Sequence, residues 1–280
     1  MMLTGRSMGM VQRGSVRGIL EKPPCQFVSR REVGLGSRRD RDSTVFAARL
    51  QAEFHPDTLG LMDIYPLRER RRVYCAGPLF NEPERQEMNS IAAALRRAGF
   101  EPFVPHADGL EFAKVQPYLA SQGYDSAAAG RLLHEAIFAL DVYQVVLGCG
   151  ALVMNMNGRV PDEGAVSEAA MAWSFGKPVV IYKADARTKV VGRDNPLVVG
   201  LSQFETIEEI DDLGRALARR YAELGPDLET AFPCPPHLGE TLTAGKRLWE
   251  RLQTMGVARP SDQVAEAVLD EFGKPVAAAR

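Results

Sequence analysis

The chain has 280 residues, and its 34 basic residues nearly balance 36 acidic ones, which gives a formal net charge of −2. This balance argues against an overall electrostatic footprint for nucleic acid. No stretch approaches the roughly eighteen apolar residues of a transmembrane helix. Its four cysteines lie far apart, without the spacing of a zinc site or a disulfide scaffold. These features predict a globular, cytoplasmic protein with no metal and no membrane segment.

The N-terminal segment differs from the rest of the chain. Its first fifty residues carry nine arginines against four acidic residues and show no sustained hydrophobic period. We expect residues 1–61 to be mostly disordered, residues 62–225 to form one domain, and residues 226–280 to add a helical extension. An Arg-rich, acid-poor leader is typical of an organelle transit peptide, and a true start near Met62 is the alternative.

From Arg72 onward, short apolar runs alternate with amphipathic helical segments. The predicted strands are 73–76, 101–104, 151–154, 178–182 and one more short strand near 197–199 and 204–207. The predicted helices are 83–98, 127–147, 164–175, 208–224, 241–254 and 261–272. This alternation predicts an α/β protein whose mainly parallel sheet is covered by helices on both faces.

Polar residues follow two of these strands. The turn after the first strand contains Gly77, Pro78 and Phe80, and its backbone is suited to hold a ring or a sugar. Asp162 lies in the loop after the third predicted long strand, and Glu168 follows six residues later, near the start of a helix. A carboxylate near a helix N-terminus is favoured in its ionised form, which suits a nucleophile.

Each of these acids also has a purely structural interpretation. Asp162 fits a helix N-cap or a turn residue, and Glu168 fits a solvated surface acid. Asp141 lies within the long apolar helix, where an exposed position is the simplest interpretation. A helix rich in alanine packs closely on its sheet, however, which favours an inward role for Glu168 if that face turns to the core. Spacing alone does not separate these interpretations.

Two stretches resemble a known family. Residues 73–80 (VYCAGPLF) are similar to the opening strand and turn of the nucleoside 2-deoxyribosyltransferases. Residues 162–172 (DEGAVSEAAMA) resemble the catalytic helix start of that family, and the Gly-Lys-Pro at 176–178 is also similar. The resemblance covers about residues 72–224. It implies a flavodoxin-like (Rossmann-type) five-stranded sheet, a homo-oligomer and no cofactor.

The resemblance also implies roles for single residues. Glu168 matches the family nucleophile, which attacks the anomeric carbon of a 2′-deoxynucleoside and forms a covalent deoxyribosyl-enzyme. Tyr74 matches a tyrosine that holds this carboxylate, and Asp141 and Asp162 match acids around the leaving base and the sugar. Phe80, in the turn with Gly77 and Pro78, matches a ring that lines the base site. Asn195 resembles an asparagine that contacts sugar hydroxyls, often those bound by a neighbouring subunit.

These roles predict a transferase that passes deoxyribose from a 2′-deoxynucleoside to a free nucleobase or to water. When a glycosidic bond breaks, positive charge develops on the sugar and negative charge on the leaving base. A carboxylate below the sugar stabilises the first, and a protonated acid beside the base neutralises the second. A related nucleotide hydrolase, acting on nucleoside 5′-monophosphates, is one alternative. Such hydrolases tend to have a phosphate-binding serine where this chain has Asp162, and a carboxylate repels phosphate. A non-catalytic nucleotide-sensing module is the other alternative.

Overall fold

The computed structural model describes residues 71–158, 160–185, 194–224, 235–256 and 259–273. Residues 1–61, for which disorder is predicted, lie outside the described residues. Within the described part of the chain, no helix combines the length and the apolar character needed to cross a membrane.

Five parallel strands form one sheet. They are β1 (Arg72–Ala76), β2 (Glu101–Phe103), β3 (Ala151–Asn155), β4 (Val179–Tyr182) and β5 (Thr206–Ile207). Their order across the sheet is β2-β1-β3-β4-β5, and every neighbouring pair is parallel. This order confirms the predicted flavodoxin-like α/β fold, in which the connections reverse direction between β1 and β3. Ligands of such sheets bind near that reversal, at the carboxyl ends of the strands.

Nine α-helices surround the sheet in the described residues. They are α1 (Glu82–Arg97), α2 (Pro105–Asp108), α3 (Phe112–Ser121), α4 (Ser126–Tyr143), α5 (Glu163–Ser174), α6 (Pro196–Val199), α7 (Leu213–Leu224), α8 (Pro236–Thr254) and α9 (Ser261–Phe272). A π-helical turn, Gln144–Gly148, extends α4. Short 3-10 turns at Gly200–Ser202 and Ile210–Asp212 flank β5.

Side chains of the central strands alternate between two apolar layers. Val73 and Cys75 face one layer, where they pack with α1 and α7. Tyr74 and Ala76 face the other layer, where they pack with α4, α5, α8 and α9. Because successive strand residues point to opposite faces, this alternation fixes which helices Tyr74 can meet. The first strand is buried on both faces, as the continuous apolar run predicts.

Local chemistry sets the ends of α1. The Asn81 side chain accepts a hydrogen bond from the Glu84 backbone N–H at 3.0 Å, and the Glu84 carboxylate accepts one from the Asn81 N–H at 3.3 Å. This reciprocal pair is a capping box, which stabilises the helix start directly after the turn at Gly77 and Pro78. Gly99 follows the helix with a φ of 86°, a conformation that glycine adopts without strain.

Three details of the sequence prediction are wrong. Residues 197–199 are helical because Asn195 caps Pro196–Val199, and proline is favoured at a helix start. The helix predicted over 127–147 ends as an α-helix at Tyr143 and continues as the π-helical turn. The helix predicted from Glu208 begins only at Leu213. The sequence analysis also missed α2 and α3, which are short and contribute few buried side chains.

The two C-terminal helices pack on the layer that contains Tyr74. Leu248, Trp249 and Leu252 of α8 are buried in the same apolar cluster as α4 and α5. Gly245 allows α8 to approach α4 closely, since a Cβ there would collide with the Ala139 carbonyl oxygen. Helix α9 adds Val264 and Val268 to this cluster. These helices therefore cover α4 and help to hold it against the sheet.

Candidate active site

A hydrogen bond joins the first strand to the helix that follows the third strand. The Tyr74 hydroxyl donates to Glu168 Oε1 at 2.7 Å across 94 positions of sequence. Tyr74 is fully buried, and its ring stacks on Phe103 with the centroids 5.5 Å apart. The stacking leaves the tyrosine ring little freedom, so its hydroxyl holds the glutamate carboxylate in a defined position.

Small residues bring α5 close to the sheet and place Glu168 beside it. Ala165, Ala169 and Ala172 are buried at helical spacing and form the face that packs on the strands. Glu168 directly precedes Ala169, so it lies at the border of this face and is only partly exposed. The prediction that the alanine-rich helix turns this glutamate inward agrees with its contact with Tyr74.

Asp162 caps the same helix. Its Oδ2 accepts a hydrogen bond from the Ala165 backbone N–H at 2.8 Å, as the structural interpretation of the sequence expects. The charge of Asp162 also acts on Glu168, where it raises the pKa of the carboxyl. Asp162 therefore combines a structural role with a position near the glutamate.

Asp141 lies in the last turn of α4, just before the π-helical turn. It is half-buried, not an exposed helix position, and burial raises the pKa of its carboxyl to about 7. The Tyr74 hydroxyl interacts with this carboxylate as well and opposes the shift. Tyr74, Asp141 and Glu168 therefore form one cluster, in which the tyrosine serves both acids. The charges of both acids, together with burial, raise the pKa of Tyr74 well above its ordinary value, so the hydroxyl keeps its proton.

The ionisation of Glu168 differs from the sequence prediction. Burial, together with the nearby charge of Asp141, raises the pKa of the glutamate to about 8. The dipole argument is wrong here because Glu168 is the sixth residue of α5, and the dipole effect falls off within the first turn. With both pKa values raised, the two carboxyls hold about one proton between them from pH 7 to 8. The hydrogen bond from Tyr74 favours the charged form of Glu168.

The turn after β1 packs tightly against its neighbours. A Cβ at Gly77 would lie 2.6 Å from Met88 Cε and 2.9 Å from Asn155 Cβ, so only glycine fits without a shift. Pro78 follows it and is partly exposed. The Phe80 ring is 81% exposed in the single chain. The ring is therefore largely open to solvent in the single chain.

Asn195 caps the short helix α6. Its side-chain oxygen accepts a hydrogen bond from the Leu197 backbone N–H at 3.0 Å, and the residue is exposed. Leu197 beside it is 84% exposed. The structure does not bring Asn195 into contact with Tyr74, Asp141 or Glu168 within the chain.

The sequence analysis missed a polar network at the carboxyl ends of β3 and β4. Glu87 on α1 accepts hydrogen bonds from the side-chain amides of Asn155 and Asn157, each at 2.7 Å. Asn157 Oδ1 in turn accepts the Ala184 backbone N–H at 2.8 Å. These bonds fix the loop that leads from β3 toward Asp162. The available signal is Asn155, a polar residue at the end of an otherwise apolar strand.

A buried lysine lies beside this network. Lys183 follows β4, and its ammonium group is 2.7 Å from Asp185 Oδ1 and 3.9 Å from Asp194 Oδ1. A buried cation needs such partners to offset its desolvation. Among the described residues, no group of three or more His, Cys, Asp or Glu side chains is arranged to hold a metal ion.

Fold and site together define the class of this protein. It is a flavodoxin-like α/β domain that gathers a tyrosine, a glutamate and an aspartate beside its first strand. Residues 73–218, just over half of the chain, match the sequence model of the nucleoside 2-deoxyribosyltransferase family, and the chain therefore belongs to that family.

Comparisons with individual proteins add less. A similar solved structure is the one titled "Crystal structure of conserved protein from Enterococcus faecalis V583". It is 19% identical, covers 53% of this chain and 98% of its own, and superposes with a TM-score of 0.39. Among curated proteins there is no match.

Proposed function

We propose that this protein transfers 2-deoxyribose between nucleobases through a covalent ester on Glu168. The observation that supports the proposal most strongly is the 2.7 Å hydrogen bond from Tyr74 to Glu168 Oε1, formed where Asp141 lies near both. A surface glutamate would show neither the buried tyrosine partner nor the raised pKa. Membership of the nucleoside 2-deoxyribosyltransferase family supports the same assignment.

In the first step, a carboxylate oxygen of Glu168 attacks C1′ of a 2′-deoxynucleoside. The bond from C1′ to the base nitrogen breaks, and its electron pair leaves with the base. Positive charge develops on the sugar during this step, as in retaining glycosidases. The Tyr74 hydrogen bond orients the attacking carboxylate and keeps it from rotating away from the anomeric carbon.

The departing base needs a proton, and we assign this proton to Asp141. Burial raises the pKa of Asp141 to about 7, so its acid form is available at neutral pH. The Oδ2 atom of Asp162 already accepts the Ala165 N–H, which suits that residue better to positioning the sugar. The reactive form in this proposal has the one shared proton on Asp141 and the negative charge on Glu168. Because the pKa of Glu168 is the higher of the two, this is the less populated of the two singly protonated forms.

The second step reverses the first. A nitrogen of the acceptor base attacks C1′, the ester bond to Glu168 breaks, and the carboxylate takes back the electron pair. The acceptor gives its proton to Asp141, which restores the starting state. Water as the acceptor yields free deoxyribose instead, so the same site supports hydrolysis.

The substrate site is completed, in this proposal, by a second copy of the chain. Phe80 and Asn195 are exposed in the single chain, although the family resemblance gives both a substrate contact. Several large apolar side chains are exposed as well: Phe138, Val160, Trp173, Leu197 and Phe204. Exposed apolar groups of this number favour an interface between subunits. We therefore expect a homo-oligomer in which a partner covers Phe80 or Asn195.

Incubation with deoxyinosine and adenine, followed by chromatography, tests the proposal. Formation of deoxyadenosine with release of hypoxanthine is the expected result. Base release without exchange indicates hydrolysis by the same site. The transfer proposal is wrong if deoxynucleosides are inert while a nucleoside 5′-monophosphate loses its base, or if neither compound reacts.

A matched pair of variants ties the activity to the site. Glu168→Gln removes the nucleophile while keeping the shape of the side chain, and we expect no measurable exchange. Glu163→Gln changes an exposed glutamate of the same helix and should retain the activity. Turnover by the Glu168→Gln variant at the normal rate would contradict the assigned nucleophile.

A further inference from the structure

A cavity with Phe103 in its lining includes none of Tyr74, Asp141 and Glu168. It has a volume of about 390 Å³ and opens beside the edge strand β2. Its lining residues are Arg72, Glu101, Pro102, Phe103, Ala107, Asp108, Trp249, Gln253, Gly256 and Arg259. The Phe103 ring stacks on Tyr74 and meets the Trp249 ring edge-on at a centroid distance of 5.5 Å. The Phe103 ring therefore contacts both Tyr74 of the carboxylate cluster and Trp249 of the cavity.

Two arginines converge on the tryptophan of this cavity. The guanidinium carbons of Arg72 and Arg259 lie 5.6 Å and 5.4 Å from the centroid of the Trp249 ring. Trp249 itself is only 9% exposed, so its ring serves as a platform for the two cations. Arg259 also donates a hydrogen bond to the Asp108 backbone carbonyl, which fixes the direction of its side chain.

In the described part of the chain, these two arginines have no ion-pair partner. Among the described residues, neither guanidinium lies within salt-bridge distance of a carboxylate. Arg259 is half-buried, and burial lowers its pKa, while the charge of Asp108 partly opposes this shift. Both guanidinium groups line the same cavity, and guanidinium N–H groups are suited to bind a phosphate dianion there.

Two acidic residues, Asp108 and Glu101, also line the cavity, but neither forms an ion pair with the two arginines. The Asp108 carboxylate accepts a hydrogen bond from the Val104 backbone N–H at 2.8 Å, which holds it on its own turn. Glu101 is exposed at the start of the edge strand, where solvent and salt screen its charge. The guanidinium groups consequently remain the groups available to an anion.

We propose that Arg72 and Arg259 bind a phosphate dianion in this cavity, either free phosphate or the phosphate of a sugar monoester. Guanidinium groups match phosphate oxygens with paired, charge-assisted hydrogen bonds. Trp249, Gln253 and Arg259 lie beyond residues 73–218, so the site depends on the C-terminal helices and not on the family-matched domain alone. It is a second site, separate from the proposed deoxyribosyl transfer.

The two tryptophans of the chain allow a direct test. The full-length protein should show two indole N–H resonances by NMR, from Trp173 and Trp249, and a Trp173→Phe variant should identify the one from Trp249. We titrate with inorganic phosphate, ribose 5-phosphate and ribose, at an ionic strength held constant with chloride. The proposal expects a saturable shift of the Trp249 resonance with phosphate, ribose 5-phosphate or both, at a Kd of about 1 mM or below. The compound that binds more tightly shows whether the site prefers free phosphate or the phosphate of a sugar monoester.

Variants of the lining residues complete the experiment. Arg259 lies between α8 and α9, outside the sheet. The Arg259→Gln variant should raise the Kd for the phosphate compound at least about tenfold. Arg72→Gln should do the same, while Arg215→Gln, an exposed arginine of α7, should leave the Kd unchanged. Glu101→Gln should tighten binding about two- to threefold by removing a nearby negative charge. The proposal is overturned if neither phosphate compound shifts the Trp249 resonance, if ribose shifts it equally, or if Arg259→Gln binds as the wild type does.

Discussion

Tyr74 and Glu168 are joined by a 2.7 Å hydrogen bond, although 94 positions of sequence separate them. The strand contributes a tyrosine that is fully buried, and the helix after β3 contributes the glutamate. Asp141, from a third element, shares the same hydroxyl. The tyrosine is therefore the central group of the cluster, and its removal affects both acids.

Tyr74→Phe removes the hydroxyl and keeps the ring that stacks on Phe103. We expect the rate of base exchange to fall by about 10- to 100-fold, because the glutamate carboxylate loses a charge-assisted hydrogen bond. The pKa of Glu168 should rise further, since this bond favours its charged form. The pH dependence of kcat/KM measures both effects, and the ascending limb should move to higher pH.

The control for this variant is Tyr118→Phe, which removes the hydroxyl of a partly exposed tyrosine on α3. Its exchange rate and pH profile should match those of the wild type. Equal rates for Tyr74→Phe and Tyr118→Phe would mean that the Tyr74 hydroxyl has no part in the reaction.

Asp141→Asn removes the acid assigned to the leaving base. Exchange of ordinary deoxynucleosides should slow by about 10²- to 10⁴-fold, the usual contribution of a general acid. A substrate whose leaving group departs without a proton should be affected much less. Loss of the charge at this position should also lower the pKa of Glu168, so the ascending limb should move to lower pH with that substrate.

The exposed Glu135 of α4 supplies the comparison, and Glu135→Gln should leave both substrates unaffected. An equal loss of rate for both substrates in Asp141→Asn would place this residue in binding or positioning instead of proton transfer.

Glu168→Gln should stabilise the protein at alkaline pH. The unfolded carboxyl titrates near its ordinary value of 4.5, whereas burial raises the pKa to about 8 in the folded chain. Between these values the folded protein binds more protons than the unfolded one, so the free energy of unfolding falls as the pH rises. The neutral glutamine does not lose stability in this way. We therefore expect the free energy of unfolding of the variant to exceed that of the wild type by about 1–3 kcal/mol at pH 8.5.

Urea unfolding at pH 5 and pH 8.5 measures this difference. The gain should be much smaller at pH 5, where the folded wild type already holds the proton on Glu168. Glu163→Gln should show no comparable dependence on pH. A Glu168→Gln variant that is less stable than the wild type at pH 8.5 would show that the buried charge is fully compensated.

Gly245→Ala should destabilise the packing of α8 on α4. A Cβ at this position would lie 2.7 Å from Tyr143 Cβ and would collide with the Ala139 carbonyl oxygen, so the helices must separate. We expect a loss of about 1–3 kcal/mol in the free energy of unfolding, although alanine favours helices. Gly130→Ala, in α4 with nothing within 4 Å of the added Cβ, should instead gain up to about 1 kcal/mol. A lower free energy of unfolding for Gly130→Ala, or a higher one for Gly245→Ala, would contradict the close contact between α8 and α4.

The sheet could be predicted from sequence because its strands are buried apolar runs with clear stops. Residues 73–76 and 151–154 contain only apolar side chains apart from the Tyr74 hydroxyl, and glycine or asparagine follows them. The helices α2 and α3 could not be predicted in the same way. Helix α2 buries no side chain, and α3 contains Pro117, so neither shows a strong helical period.

The candidate site was predictable only in part. Family resemblance indicated Tyr74, Asp141, Asp162 and Glu168, but the position of Glu168 along its helix determines its pKa, and spacing gave the wrong direction. Burial and the charge of Asp141 dominate there, and both depend on contacts between distant elements. The cavity at Trp249 and Arg259 has no signal in the sequence, because its residues come from β1, β2, α2, α8 and the segment between α8 and α9.

Mass spectrometry of the acid-quenched protein tests the proposed covalent intermediate on Glu168 most directly. The protein is incubated with a 2′-deoxynucleoside without an acceptor base, quenched and digested. We expect the peptide containing Glu168 to gain the mass of one deoxyribosyl group, and the same peptide of the Glu168→Gln variant to gain none. Rapid base release with no labelled peptide, or with the label on another residue, would contradict a covalent intermediate on Glu168.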